Sequence, residues 1–265
     1  MTERIKQASR SAAASTIALA LLAVLAAHAG GCGSSGGGKS SSKTAASTSA
    51  SSLAPIKGTY SPSINPANFV ATIDNRYFPL KPGTGFHFKG VRGTTPQTDD
   101  EIVTNQTRKI LGVTCTVVRD TVSEHGTPIE RTFDWYAQDK QGNVWYMGED
   151  ALELKHGRFV KASDSWESGV NGAKPGIIMP GNPRPGDAYR QEYYPPGQAL
   201  DEAHVLGSAS VKVPYGSYKQ ALVTSEFSPL EPQTEKKYYV AGLGEVAEQV
   251  VKGHHEQFQL VTVSH

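Results

Sequence analysis

Acidic pairs beside tryptophan are the first residues in this sequence whose types and spacing could do chemistry. Glu149-Asp150 lies shortly after Trp145, and Asp164 and Glu167 flank Trp166. A glycosidase needs two carboxylates that face each other across the bond it cleaves. Nearness in sequence does not supply that geometry, and a polar strand end beside a tryptophan has the same composition. A hydrolase acting on envelope polymers is therefore an alternative, and the sequence predicts more readily that this protein is not an enzyme.

Nucleophilic catalysis has no visible carrier in the sequence. There is no G-x-S-x-G elbow for a serine nucleophile. Cys115 is the only cysteine after Cys32, and it alternates with Val113 and Val117, so the three side chains share one face of a predicted strand. We expect a core thiol, and a disulfide framework is excluded.

Histidines could in principle hold a metal ion. His254-His255-Glu256 supplies one edge of such a site, which other histidines would have to complete in space: His87, His156 and His204. Adjacent residues of a strand point to opposite faces, so the pair contributes at most one ligand to a site. Solvated or hydrogen-bonded histidines are favoured, and no metal is predicted.

Two glycine motifs resemble cofactor or ion loops. Asp139 to Asn143 has the oxygen-rich composition of a calcium loop, but its glycine comes too early for an EF-hand, so a hairpin turn is favoured. Gly242 to Ala247 fits the G-x-G-x-x-A form of the dinucleotide fingerprint, yet too few residues follow for a βαβ unit. No cofactor is predicted.

The most unusual stretch is Lys174 to Gly197, with six prolines and four glycines around one apolar triplet. An aliphatic triplet in a loop needs a partner to bury it. The triplet either plugs the core between two repeats or forms the lip of a ligand groove, and two tyrosines later in the stretch suit both alternatives. The candidate ligand-binding residues are Ile177, Ile178, Met179, Tyr193 and Tyr194.

Short strands must position these residues, because helical periodicity is scarce and alternation is common. The pattern predicts a mainly β fold of curved antiparallel sheets, as a half-barrel or a sandwich. Predicted strands, besides the one around Cys115, are 85–90, 131–136, 143–147, 189–194, 209–213, 221–227, 236–240, 245–251 and 257–263.

Three landmarks recur at nearly constant spacing. Proline-glycine entries into a strand at Gly83 and Gly186, turn glycines at Gly112 and Gly216, and aromatic strands that end before Gly142 and Gly244 predict two related β-units in tandem. The units span about residues 66–165 and 174–265. Evenly spaced hairpins in any β protein are the alternative explanation.

The N-terminus has the features of a lipoprotein signal. A basic segment and an apolar run precede Ala29-Gly30-Gly31-Cys32, where small residues lead to a cysteine as in a lipobox. We expect residues 1–31 to be removed and Cys32 to carry lipid, including palmitate; an uncleaved membrane anchor is the alternative. Residues 32–65 are predicted to be a Gly/Ser-rich tether, and residues 66–265 the β-domain.

Charge narrows the possible partners. Removal of the signal takes away three basic residues and one acid, so the 26 basic and 25 acidic residues of the full chain leave a net charge near −1. Nucleic-acid binding would require a basic patch or stripe, which the sequence lacks.

The lipobox, the strand pattern and the aromatic strands ending in Gly-x-Val turns resemble uncharacterised bacterial envelope lipoproteins. A more distant, fold-level likeness is to the LolA and LppX half-barrels, which hold lipid in a concave apolar face. The resemblance implies an extracytoplasmic, membrane-anchored protein on the outer face of the cell membrane or in an outer membrane. It implies no residue-specific function.

The sequence thus predicts a lipid-anchored β-domain that binds an apolar ligand or an envelope partner protein. Its alternatives are the hydrolase and a purely structural lipoprotein. The membrane, contacted through lipidated Cys32, is the one specific partner that the sequence predicts.

Overall fold

The structure is a computed structural model that describes residues 49–265. The predicted signal peptide, Cys32 and most of the predicted tether lie outside the described residues. Within the described part of the chain, no helix is long and apolar enough to cross a membrane.

Strands dominate the described chain, accompanied by one short helix and two 3-10 turns. The helix α1 spans Ala50–Leu53, and the 3-10 turns span Pro66–Asn68 and Pro195–Gly197. The strands are β1 (Ile73–Asn75), β2 (Phe78–Leu80), β3 (Gly85–Arg92), β4 (Thr95–Ile110), β5 (Val113–Glu124), β6 (Thr127–Gln138), β7 (Val144–Lys155), β8 (Arg158–Lys161), β9 (Trp166–Glu167), β10 (Lys174–Met179), β11 (Ala188–Arg190), β12 (Glu192–Tyr193), β13 (Glu202–Val213), β14 (Gly216–Phe227), β15 (Thr234–Val240), β16 (Gly244–Lys252) and β17 (Glu256–Ser264).

One curved, open sheet contains fifteen of these strands. Its order is β11-β13-β14-β15-β16-β17-β3-β4-β5-β6-β7-β10-β12, with β8 and β9 also paired to β7, and all pairs are antiparallel. Two meanders lie side by side in this sheet, and the pairing of β17 with β3 joins them. The predicted fold class, a mainly β protein of curved antiparallel sheet, is confirmed.

Strand β5 shows why alternation predicted this sheet correctly. Val113, Cys115 and Val117 are all buried, whereas the intervening Thr114 is exposed. Burial raises the pKa of the Cys115 thiol to about 12, so the group stays protonated and inert. Cys115 packs as a small apolar residue, in agreement with the expectation from its neighbours.

The two meanders share one turn geometry. Gly83 and Gly186 both have φ of 92°. The Gly83 amide donates to the Val103 carbonyl at 2.8 Å, and the Gly186 amide donates to the Val205 carbonyl at 2.9 Å. This positive φ is readily adopted only by glycine, which explains why both turns carry one.

A second pair of landmarks is out of register by one residue. Gly112 lies inside the β4–β5 turn with φ of 82°. Gly216 instead begins β14 and pairs with Val213, so Tyr215 occupies the position equivalent to Gly112. Gly112 and Gly216, which the sequence analysis treated as equivalent turn glycines, therefore occupy different positions in their turns.

Packing on the domain begins well before residue 66. Ala50, Ala54 and Tyr60 are at most 3% exposed, although the sequence placed them in the tether. The Tyr60 ring lies 5.3 Å from that of Tyr193, and the Tyr60 hydroxyl donates to the Pro175 carbonyl. The small and aromatic side chains of this segment are buried against the domain. The many serines around them made the segment resemble a flexible tether in the sequence.

Candidate functional site

A cavity of about 140 Å³ lies in the concave side of the sheet, between the two meanders. Strands β3 to β7 form one wall, and β14, β15 and the β15–β16 turn form the opposite wall. Ile178 of β10 and Gln191-Glu192 close a third side. The cavity is open to solvent, so a ligand could enter without unfolding the sheet.

One part of the lining is apolar and aromatic. The Phe78 ring meets Tyr136 edge-on at 5.3 Å, and Tyr136 stacks on Tyr146 at 4.8 Å. Other side chains of this part are Leu80, Phe86, Phe88, Val118, Ile178 and Leu243. Such a surface can bind the apolar portion of a ligand, or a cation that lies against the face of an aromatic ring.

The rest of the lining is acidic to an unusual degree. Eight carboxyl side chains line the cavity: Glu101, Asp120, Glu130, Asp134, Glu192, Asp201, Glu226 and Glu245. Among the cavity-lining residues that the structure describes, Lys237 is the single base. The cavity therefore carries a strong excess of acid over base in a chain whose total charge is near zero.

Lys237 is already engaged by its own wall. Its ammonium nitrogen lies 3.4 Å from Glu248, 3.5 Å from Glu226 and 3.9 Å from Glu245. Although burial opposes the charged form, these carboxylates hold the pKa of Lys237 well above its usual value. A protonated amine is not a nucleophile, so imine chemistry at Lys237 is disfavoured.

Glu226 is held in a dense hydrogen-bond network on the same wall. Its Oε1 accepts from the Thr224 hydroxyl at 2.6 Å and the Tyr239 hydroxyl at 3.1 Å, and its Oε2 accepts from the Gln191 amide at 3.1 Å. Glu226 thus has a structural role in this wall, and it positions Lys237.

Glu192 stands out among the acids. Its side chain is buried, with 5% of the residue exposed, and its Oε2 has no hydrogen-bond partner. Burial, followed by the charges of Asp201, Asp164 and Asp134, raises the pKa of Glu192 well above its ordinary value. Asp201 behaves alike: burial is the main cause that raises its pKa to about 7.

Across the cavity, burial and neighbouring acids raise the pKa of Glu130 to about 8. The adjacent Asp134 accepts a 2.6 Å hydrogen bond from the Tyr146 hydroxyl, which also lies 3.1 Å from Glu149. Burial therefore favours the protonated forms of Glu130, Glu192 and Asp201, and an incoming cation would favour their charged forms.

The candidate ligand residues from the sequence are dispersed. Only Ile178 lines the cavity. Ile177 and Met179 are fully buried in the main core, because Lys174–Met179 forms strand β10 on β7 rather than a loop. Tyr193 packs on Tyr60, and Tyr194 joins a separate apolar cluster with Trp166.

The acidic pairs beside tryptophan do not form one site. Glu149 is buried below Tyr146, whereas Asp150 pairs with Lys161 at 2.9 Å on the exposed side. Asp164 is buried, and Glu167 pairs with Arg108. Successive residues of a strand point to opposite faces, which divides Glu149 and Asp150 of β7 between two surfaces; Asp164 lies in a turn before β9 and is buried apart from Glu167.

The histidines are likewise separated into local contacts. His87 lies 2.7 Å from Asp100, His254 lies 2.7 Å from Glu256, and His204 packs on Phe227. In residues 49–265, the group of side chains close enough to share a metal ion contains no histidine: Asp99, Glu101 and Asp120.

The two loop motifs serve as turns. Asp139 accepts hydrogen bonds from the backbone of Gln141 and Asn143 and from the Trp145 indole, so its carboxylate is used inside the β6–β7 turn. Gly242 lies in the β15–β16 turn with φ of 78°.

Sequence reasoning missed the acidic lining. Glu130, Thr132, Asp134 and Tyr136 alternate along β6 and face the cavity. Strict alternation of acids and hydroxyl groups was the available signal, but alternation is usually interpreted with its polar face toward solvent.

Two solved structures resemble this chain weakly. No family model matches, and no curated protein matches. A solved structure described as an exported protein with a YmcC-like fold, from Bacteroides fragilis NCTC 9343, is 12% identical with a TM-score of 0.41. One described as a lipoprotein, from Parabacteroides distasonis ATCC 8503, is 10% identical with a TM-score of 0.38. In both cases the alignment covers 72% of this chain and 100% of the other.

Proposed function

We propose that this protein is an extracytoplasmic binding protein, anchored by lipid at Cys32, whose concave cavity takes a small organic cation with an apolar portion. The lipobox and the signal-like N-terminus support the location. The observation that carries the ligand class is the lining itself, eight carboxyl groups and one engaged lysine beside an aromatic and aliphatic surface.

Electrostatics favour a cation with an apolar portion over the apolar ligand expected from the sequence. An apolar molecule would displace water from Glu192 and Asp201 without replacing its hydrogen bonds, which is costly for buried polar groups. An ammonium group donates up to three hydrogen bonds and brings the opposite charge. Its apolar portion would then lie against Phe78, Tyr136 and Ile178.

Cavity size sets the scale of the ligand. An apolar cavity of about 150 Å³ holds a benzene molecule. The 140 Å³ found here suits one ring or a short chain with an amine and is small for a lipid acyl chain. We therefore expect a ligand smaller than the lipids that LolA-type half-barrels hold.

Three probes built on the same phenylethyl group test the proposal: 2-phenylethylammonium, neutral 2-phenylethanol and anionic 3-phenylpropanoate. We expect only the ammonium compound to raise the melting temperature, measured with EDTA present to remove metal ions. Equal stabilisation by the alcohol would indicate an apolar site, and no stabilisation by any probe would contradict binding of this ligand class. Native mass spectrometry of protein purified from its own host would then identify the natural ligand.

Glycan hydrolysis is a second candidate, favoured by one observation. Glu192 has a raised pKa, as a general acid requires, and Asp134 contributes to raising it. Release of reducing sugar from envelope glycans, lost in Glu192→Gln, would support hydrolysis. Binding of the ammonium probe without turnover of any glycan would contradict hydrolysis and support the binding function.

A further inference from the structure

We propose that Asp99, Glu101 and Asp120, together with the Thr132 hydroxyl, form a Ca²⁺ site on the β4–β6 wall. This site goes beyond the organic-cation function and does not depend on it. It shares Glu101 and Asp120 with the cavity lining but includes neither Glu192 nor Asp201.

Strand geometry brings the three carboxylates together. Asp99 and Glu101 are two residues apart on β4, so both side chains point to the concave face. Asp120 comes from β5, whose register places it beside that part of β4. One oxygen from each carboxylate lies within 4.8 Å of the other two.

Thr132 supplies the independent observation that points to a ligand. It is directly opposite Asp120 in the β5–β6 register and lines the cavity with Glu101 and Asp120. The residue is 4% exposed, and its Oγ1 has no hydrogen-bond partner. A buried hydroxyl normally has a partner, and a bound cation would provide one as a neutral oxygen ligand.

The oxygen set fits Ca²⁺ better than other ions. Hard cations prefer carboxylate and hydroxyl oxygens, and sites without nitrogen or sulfur ligands disfavour zinc and copper. Ca²⁺ takes about six to eight oxygen ligands in flexible geometry, whereas Mg²⁺ demands a regular octahedron and usually keeps several waters, so three carboxylates and a hydroxyl suit Ca²⁺ better. Waters from the open cavity would complete the coordination shell.

Charge provides the driving force. Three carboxylates with oxygens within 4.8 Å of one another repel when charged, and Asp99 is fully buried. Like charges at short range in a partly desolvated site strongly disfavour full ionisation. A divalent cation converts that repulsion into attraction, so Ca²⁺ binding should stabilise the folded protein by mass action.

Thermal unfolding with and without Ca²⁺ tests the site, with no organic ligand present. We expect a saturable rise in melting temperature of about 5–10 °C at a hundredfold excess over the dissociation constant, and a smaller effect of Mg²⁺. Asp120→Asn and Thr132→Val should each weaken Ca²⁺ binding by about tenfold or more. The control Asp150→Asn removes an exposed carboxylate of β7 and should leave binding unchanged.

The Ca²⁺-free arm separates a metal site from a structural role. Without Ca²⁺, Asp120→Asn relieves repulsion and should melt no lower than the parent protein, so poor folding would not imitate the result. The proposal is overturned if millimolar Ca²⁺ leaves the parent's melting temperature unchanged, or if the Ca²⁺-induced rise is the same in Asp120→Asn, Thr132→Val and Asp150→Asn. Neither outcome affects the organic-cation function, whose assay contains EDTA.

Discussion

The ammonium nitrogen of Lys237 lies 3.4 Å from the Glu248 carboxylate, across adjacent strands β15 and β16. Glu226 and Glu245 also lie within 4.0 Å of this lysine, so one positive charge is shared among three carboxyl groups. Lys237 is also the single base beside the eight carboxyl side chains of the cavity lining that the structure describes. This excess of acid over base is the basis for expecting a cationic ligand.

Replacing Lys237 should lower the unfolding free energy, because its carboxylate neighbours would then repel one another. Lys237→Met keeps the length of the side chain but leaves Glu226, Glu245 and Glu248 without their cation. We expect a loss of about 2–4 kcal/mol in unfolding free energy at pH 7, by urea denaturation. The loss should shrink at pH 4.5, where the acids begin to be protonated; an equal loss at both pH values would show that packing, not charge, is responsible.

Glu130 should make stability fall as pH rises. Its pKa is raised from 4.5 to about 8 in the folded protein, so between these values the folded state binds more protons than the unfolded state. Unfolding free energy then decreases with pH across this window, by up to about 1.4 kcal/mol per unit. Glu130→Gln should flatten that dependence and melt higher than the parent at pH 8, with little difference at pH 4.5.

A control variant tests whether the pH dependence is specific to Glu130. Asp150→Asn removes an exposed acid that is paired with Lys161 and should retain the parent pH profile. If Glu130→Gln and Asp150→Asn give the same profile as the parent, Glu130 does not titrate in the predicted window.

Binding of an organic cation should release protons. Burial raises the pKa of Asp201 to about 7, and a cation beside it would favour the ionised form. Affinity for 2-phenylethylammonium should therefore increase from pH 5.5 to pH 7.5. Calorimetry in two buffers of different ionisation enthalpy measures the protons released; a heat independent of buffer would contradict this linkage.

The N-terminal segment should contribute to stability despite its Ser-rich sequence. Tyr60 is 2% exposed and packs on Tyr193, so Tyr60→Ala should cost about 3 kcal/mol. Tyr215 is 43% exposed, and Tyr215→Ala should change stability by less than about 0.5 kcal/mol. Equal urea midpoints for the two variants would mean that residues 49–60 do not hold to the domain in solution.

Alternation predicted the sheet well where the buried face is apolar. Strand β5 and the core thiol at Cys115 followed from three apolar positions at spacing two. Strand β4 was missed except at its end, although its 16 residues make it the longest strand described. Its concave face carries Asp99 and Glu101, so the pattern that normally marks burial was absent.

The cavity could not be predicted for a related reason. It is assembled from strands far apart in sequence: pairing of β11, β13, β14 and β15 brings Glu192 near Glu226 and Lys237, and the curvature of the sheet sets these residues opposite β6. The apolar triplet attracted attention as a surface loop, but pairing with β7 buries Ile177 and Met179 and leaves only Ile178 at the cavity. Which face of a strand lies inside is decided by its neighbours, and the sequence does not contain that information locally.

Isothermal titration of 2-phenylethylammonium into the parent protein and Glu192→Gln, in EDTA at pH 7.5, tests the central claim most directly. Glu192→Gln keeps the shape of the side chain and removes a buried carboxyl group that a bound cation would ionise, and whose Oε2 has no hydrogen-bond partner. We predict saturable binding by the parent and an affinity at least about tenfold lower in the variant, a difference of about 1.4 kcal/mol. Equal affinities, or no binding by the parent, would contradict a cation site at Glu192.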